Sequence, residues 1–406
     1  MFRIINGSVA SSILSGTLRR QLTHLLGEVS FIMLGRSLVP LCIVLILYLP
    51  LSAFSQETVF WKPEKTWVFV AGLIEWEDEK FTEFPQENRQ DVKLVETFQE
   101  LGVPRNQILY LQDKQATTDR VVREFEDFVS KPSEDDMIVI YYCGHGYNVE
   151  NHTQTYLATY DATDKKLGVR IGWFLVALER LFKGKRAIIA ADHCCSGGLA
   201  ESLKVLKPSR LSYVAFCSAH VNSVSTDAWT FTEAIIDGFK GEKWIDDNAD
   251  GVVTLQEVGA NIELDMSFAH NQMSQFQLTG SFRPTDVLAV SEKYDEKRLG
   301  ARLEVLDEGT WYTGFVKEVK EDQFLIHYYG WPKSEQEWVT KDRIRKQKKQ
   351  THEVGTRLWA LSAGVWEKGK VLRVKNGLHL IKFDDWAVEW NEWVPYERTS
   401  LNKKKQ

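Results

Sequence analysis

Residues 137–147 read MIVIYYCGHGY, and residues 186–198 read RAIIAADHCCSGG. Each begins as a short, almost wholly apolar run, the pattern of a strand covered on both faces of a sheet. Each then breaks into polar residues flanked by glycine. Working outward, Thr66–Leu73, Ile108–Leu111 and Leu211–Cys217 repeat the strand pattern. Between them Asn88–Leu101, Thr118–Val129 and Ile171–Phe182 carry apolar residues at helical spacing. Strands alternating with helices predict an α/β fold with a mostly parallel sheet sandwiched by helices. In such sheets ligands collect at the carboxyl ends of the strands, which is where both polar tips fall.

The tips carry chemistry. The first ends in Cys143-Gly144-His145-Gly146-Tyr147, the second in Asp192-His193-Cys194-Cys195-Ser196-Gly197-Gly198. A histidine and a cysteine on neighbouring strand ends supply the base and nucleophile that cysteine catalysis requires. The glycines let the backbone turn sharply and let a carbonyl approach its N–H groups. Cys143 and Cys217 read as packed strand residues, since free cysteine is among the most buried side chains. His193 is expected on the opposite side of the turn from the nucleophile, and His220 in a loop near a strand tip.

YYCGHGYN followed some fifty residues later by AADHCCSGG resembles the caspase-like cysteine peptidases, nearest to metacaspases and their bacterial relatives. The resemblance spans roughly residues 60–290. It implies His145 as base and Cys194 as nucleophile, with Asp192 two residues ahead and Ser196-Gly197 behind selecting Cys194 over Cys195. The backbone N–H groups of Gly146 and Cys194 are the candidate oxyanion hole. The resemblance also implies an acidic pocket that binds Arg or Lys before the cut. Asp192 matches one acid, and Asp91 is the candidate for the other. Two carboxylates can pair a guanidinium bidentately. The expected activity is a cysteine-type endopeptidase acting on peptides or proteins after Arg or Lys. The alternative is a catalytically silent scaffold of the same fold that recruits peptide or nucleic-acid partners.

Residues 246–257, DDNADGVVTLQE, fit the register of an EF-hand calcium loop. Asp246, Asn248, Asp250, the Val252 carbonyl, Thr254 and Glu257 take the ligand positions, and Gly251 the sharp turn. A helix over Thr230–Phe239 and another from Gln256 would flank it. The cysteine chemistry itself needs no cofactor, so Ca²⁺ is expected to be structural or regulatory.

The tail repeats itself at an offset of 55 residues. Trp311, Trp331 and Trp338 recur as Trp366, Trp386 and Trp393, with Gly300/Gly355, Arg302/Arg357, Gly314/Gly369, Glu337/Glu392 and Val339/Val394 in the same register. Short alternating segments such as Gly314–Val319 and Phe324–Tyr328 predict about five strands per copy, in two small SH3-like β-barrels over 296–345 and 352–400. The stretch KDRIRKQKKQ at 341–350 reads as an exposed linker. The first copy resembles chromo-barrel and Tudor-knot modules, which implies aromatic cages. Tyr328, Trp331 and Trp338 are candidates in one copy, Phe383, Trp386 and Trp393 in the other. Cation–π attraction is the basis of such a cage. Packing of a small core by aromatics is the competing reading.

Composition narrows the classes. The 406 residues are 44% hydrophobic and 26% charged, which excludes extensive disorder, and five cysteines are too few for a disulfide scaffold. Residues 57–295 hold 24 basic against 38 acidic side chains, residues 296–406 hold 22 against 17, and the chain carries −6 overall. An acidic body favours cationic partners and argues against nucleic acid. Before the body, LCIVLILYL at 41–49 is too short to span a bilayer, which takes about 20 residues. With Arg36 ahead and Ala53-Phe54-Ser55 behind, residues 1–55 read as a leader with a signal peptide, translation starting at Met33 and cleavage near Ser55-Gln56. The mature chain, with its body over 60–292, is then exported; a membrane anchor is the alternative.

Overall fold

A computed structural model describes residues 59–149 and 154–402. The leader therefore lies outside the described residues. Among those described, no helix is long and apolar enough to cross a membrane.

The body opens with β1 (Thr66–Gly72), α1 (Gln90–Glu100), β2 (Ile108–Gln112), α2 (Thr118–Ser130) and β3 (Met137–Cys143). A small antiparallel sheet of β4 (Gly146–Val149), β5 (Gln154–Leu157) and β6 (Val169–Arg170) follows the first motif. Then come α3 (Ile171–Leu181), β7 (Arg186–Asp192), α4 (Gly198–Val205), β8 (Ser212–Cys217) and α5 (Thr230–Lys240). The body closes with β9 (Val252–Thr254), α6 (Leu255–His270), β10 (Gln275–Leu278) and β11 (Val287–Val290). The main sheet runs β10-β8-β7-β3-β1-β2, parallel except for β10, which is antiparallel to β8. The mostly parallel, helix-flanked sheet is the expected α/β fold; the antiparallel edge strand was not among the expected strands, its polar–apolar alternation lasting only four residues.

Alternation along the strands builds two cores. On β1, Phe69 and Ala71 face one layer with Phe125, Phe128 and Phe174 of α2 and α3. Val68 and Val70 face the other, with Leu94 and Phe98 of α1 and Phe231 and Phe239 of α5. Successive strand side chains point to opposite faces, so a strand apolar at every position must be covered twice. Each fully buried large apolar side chain stabilises by roughly 1.5–3 kcal/mol.

The tail forms two curled antiparallel sheets resembling small barrels. The first holds β12 (Arg302–Asp307), β13 (Thr310–Lys320), β14 (Gln323–Tyr328), β15 (Glu337–Thr340) and β16 (Ile344–Arg345). The second holds β17 (Arg357–Ser362), β18 (Val365–Lys375), β19 (Leu378–Phe383), β20 (Glu392–Pro395) and β21 (Thr399–Ser400). Every strand of the second copy starts and ends 55 residues after its counterpart. Both copies bulge at one place, Val316/Glu318 in β13 and Val371/Arg373 in β18. The stretch read as a linker is corrected in part. Ile344–Arg345 is the closing strand of the first barrel, and Lys349 Nζ donates to the Ser267 carbonyl and to Asn271 Oδ1 at the end of α6. A run of basic residues conceals such a use, because two strand residues leave no periodicity to read.

Barrel 1 packs into the second core rather than hanging free. Phe315 and Tyr329 join Trp244 there. Tyr329 Oη donates to Asp265 Oδ1, and the Arg302 guanidinium donates to Asp265 and Asn261 on α6. His327 Nε2 lies 3.1 Å from Glu233 Oε2 on α5. Barrel 2 meets the body through Trp393, which packs on Met273 with Leu378 and Leu380.

Candidate active site

The two motif strands end side by side. The register pairs Gly72 with Cys143 and Cys143 with Asp192, so three strand ends align at one edge of the sheet. Beyond Asp192 the chain turns through His193, Cys194 and Cys195, with Cys195 in the left-handed region at φ 62°. Gly146 stands against that turn: a Cβ there would lie 2.1 Å from His193 Nδ1 and 2.7 Å from the Cys194 carbonyl oxygen. Only glycine allows this approach.

The Cys194 sulfur accepts a hydrogen bond from the Ser225 N–H at 3.2 Å. Burial raises its pKa above the ordinary thiol value, while its contacts to the Ser225 backbone and to its own N–H act in the opposite sense. Cys195 is held by its own N–H donating to the Ser223 carbonyl at 2.8 Å, and burial pushes its thiol up to about 12. Cys194 is therefore the less suppressed thiol of the two.

His145 sits in a box of aromatic rings, its centroid 4.4 Å from Trp76, 4.6 Å from Phe84 and 5.5 Å from Phe81. Its Nε2 lies 2.8 Å from the Thr82 carbonyl oxygen. A carbonyl only accepts, so Nε2 carries the proton and Nδ1 keeps the lone pair. Burial lowers the His145 pKa, partly offset by that bond. The ring is thus neutral near pH 7, with Nδ1 as its basic nitrogen. Among the described residues no hydrogen bond joins His145 to Cys194; the thiol's partners are on the Ser225 segment.

Asp192 is 8% exposed. Its Oδ2 accepts from Thr232 Oγ1 at 2.8 Å and its Oδ1 from Ser225 Oγ at 3.5 Å. Burial pushes its carboxyl up to about 6, and its hydrogen-bond partners are all neutral hydroxyls. It lines a small pocket with Cys194, Phe84, Asp227 and Trp229. Asp91 is placed elsewhere. Its carboxylate is fully buried and takes both Nε and Nη2 of Arg89, at 2.8 and 2.9 Å, with the Tyr110 hydroxyl at 2.8 Å. Arg89 also binds Asp113 at 2.5 Å and the Gly72 carbonyl at 2.9 Å. The second acid on the pocket wall is Asp227, which a loop of unremarkable composition hid from the sequence reading. Arg89 stands two residues before Asp91, a cue that this carboxylate has an internal partner.

His193 is buried at 1% exposure; its Nδ1 donates to the Cys194 carbonyl at 2.7 Å, and burial pushes its pKa down to about 4. His220 lines a different cavity, beside Arg170 and Glu389. Cys143 and Cys217 are buried in the strands, and they, Cys194 and Cys195 are all free thiols.

In the EF-hand-like loop, Asp246 accepts from the Gly251 N–H at 2.9 Å, Asn248 from the Asp250 N–H at 2.8 Å, and Asp250 from the Val252 N–H at 3.1 Å. Thr254 caps α6, and Glu257 closes a capping box with it. Val252–Thr254 pairs antiparallel with β11. Among the described residues no group of three or more His, Cys, Asp or Glu side chains is gathered as metal ligands. Glu257 Oε1 nonetheless has no hydrogen-bond partner, and the donor set is all oxygen, as a hard cation requires.

The aromatic candidates of the two copies are placed differently. Tyr328 is buried and donates to Glu337, and it packs with Trp331 at 5.0 Å beside Tyr312. Trp338 is apart from this group, with Lys320 Nζ 4.6 Å from its ring. In the second copy Phe383 is core and packs at a tilt against Trp386, 4.6 Å between centroids, while Trp393 is in contact with Met273.

No curated protein matches the chain. A crystal structure of a protein from Geobacter sulfurreducens is similar at 14% identity and a TM-score of 0.41, with 56% of this chain and 100% of that chain covered. Residues 82–283, which hold both motif strands and most of the pocket, match the family model of the caspase domain, and this part of the chain is similar to that domain.

Proposed function

We propose that the protein is a cysteine endopeptidase that cuts after Arg or Lys. A caspase-like domain supports a cysteine peptidase-type function with peptide or protein substrates. The observation that carries the finer reading is Asp192, a buried carboxylate with only neutral partners, on the wall of the pocket that also holds the Cys194 sulfur. A guanidinium or ammonium entering beside it supplies the missing countercharge. Cys194 Sγ attacks the scissile carbonyl carbon as His145 Nδ1 takes the thiol proton. The N–H groups of Gly146 and Cys194 receive the developing oxyanion. His145 then returns the proton to the leaving amine, and water hydrolyses the thioester. Because the resting sulfur faces Ser225, substrate entry must bring the dyad together. Cleavage profiling on peptides with Arg, Lys or Asp before the cut tests this; equal cleavage of all three removes the role of Asp192.

Two further elements belong to this reading. Asp246, Asn248, Asp250, the Val252 carbonyl, Thr254 and Glu257 would hold a Ca²⁺ ion and brace the turn between α5 and α6. Calorimetric titration with Ca²⁺ checks this, and Glu257→Gln is expected to weaken binding at least tenfold. The leader over residues 1–55 would export the chain. N-terminal sequencing of the mature protein should begin near Gln56; a start at Met33 or Met1 refutes cleavage.

A further inference from the structure

Cys194 and Cys195 are consecutive residues that line different cavities. Cys194 lines the catalytic pocket. Cys195 lines a crevice of about 390 Å³ whose opposite wall is barrel 2. Loop residues 222–225 are shared between the two. Ser225 holds the Cys194 sulfur and Ser223 the Cys195 N–H, while Asn222 Nδ2 donates to the barrel's Glu389 and Asn391 carbonyls at 2.5 and 3.2 Å. Barrel 2 is thereby bonded to the loop that contacts the nucleophile.

The crevice is apolar on both sides. Val224, 72% exposed, faces it from the body, and Trp386 and Trp390, edge-to-face at 5.6 Å, from the barrel. Its charged lining residues, Glu392 and Arg398, are ion-paired at 2.5 Å, so the crevice presents no unbalanced charge for a ligand to neutralise. Asn222 Oδ1 and Ser223 Oγ are buried in its wall with no hydrogen-bond partner among the described residues. Such groups are costly to leave unpaired, but they are sealed within the wall, so the surface open to a ligand is the apolar lining of the slot.

We infer that this crevice is a substrate subsite, taking an aromatic or large aliphatic side chain of the peptide whose bond Cys194 attacks. The two cavities are lined by consecutive residues, so it is side chains close to the scissile bond that come within reach of the crevice. The inference rests on Cys194 being the nucleophile. Barrel 2 then helps select the sequence that is cut.

The experiment uses the full chain with two substrates. One is a short fluorogenic peptide ending in Arg; the other is a set of extended peptides carrying Trp, Leu, Ser or Asp at each of four positions on either side of the Arg. Trp or Leu at one position should raise kcat/KM at least tenfold over Ser. Ala363→Arg, which fills the crevice from the barrel turn, should cut the ratio of extended- to short-peptide kcat/KM to that of the Ser peptides. Trp386→Ala should do the same, and Ala363→Arg keeps the test open if that variant misfolds. Cleavage of the short peptide with no positional preference, or a preference that survives both variants, overturns the subsite. No cleavage of any peptide by wild type overturns the nucleophile assignment, and the subsite with it.

Discussion

Cys194 and Asp192 make separable demands on the same pocket. Cys194→Ala should lower kcat/KM on Arg peptides by about three orders of magnitude or more, read in a continuous fluorogenic assay. Asp192→Asn should abolish the preference for Arg and Lys and also stabilise the fold at pH 8. Its folded pKa of about 6 lies above the unfolded carboxyl value, so its contribution is full below about pH 4 and is lost as pH rises through 6. At pH 8 the buried charge costs up to about 3 kcal/mol, from a shift of roughly two units. Chemical denaturation at pH 8 and pH 4 should show the gain only at the higher pH. Arg89 has the opposite character. Arg89→Met leaves Asp91 and Asp113 buried without their countercharge and should cost about 3–5 kcal/mol, measured in urea.

Among the elements, α5 links site and barrel. Its Thr232 holds Asp192 and also meets the Tyr141 hydroxyl at 2.6 Å, while the next residue, Glu233, meets His327 of barrel 1. A shift of one helix therefore reaches both the pocket acid and the first barrel. At the next helix, Thr254→Ala removes the capping box at the start of α6 and should cost about 0.5–2 kcal/mol in thermal or urea unfolding. Helices of the body were legible because their apolar spacing is set by the face they bury, and TWVFVAG and MIVIYYC because short runs rich in β-branched and aromatic residues that end at glycine or a polar tip favour strands. β10, QFQL, alternates polar and apolar residues, but four positions are too short a run to stand out, and each is only half-buried.

For the molecule as a whole, acid should be more damaging than alkali. His193 is buried and His220 and His270 are half-buried, and loss of solvent pushes the pKa of each down to about 4. Folded values below the unfolded value of about 6.5 mean stability that is complete above that pH and is lost as pH falls through 4. Asp192 and Asp237, both raised to about 6, act in the other sense and offset part of the loss. The melting temperature should drop between pH 7 and pH 4, and a flat profile would contradict the burial of these rings. Removing residues 296–406 should uncover Trp244 and strip Asp265 of Arg302 and Tyr329, giving a body that binds apolar dyes or aggregates.

The amino-acid order by itself determined the five parallel strands of the main sheet, the duplicated tail and the pair of residue types at two strand tips, because period, repeat and glycine punctuation are local properties. Only the tertiary structure decided which acids face the pocket, that His145 is oriented by Thr82 and an aromatic box, and that Trp393 and Lys349 serve packing between units. Those outcomes depend on which surfaces meet across long stretches of chain. A carboxylate's neighbour, whether an internal Arg89 or an open pocket, is chosen by folding and not by its place in the sequence.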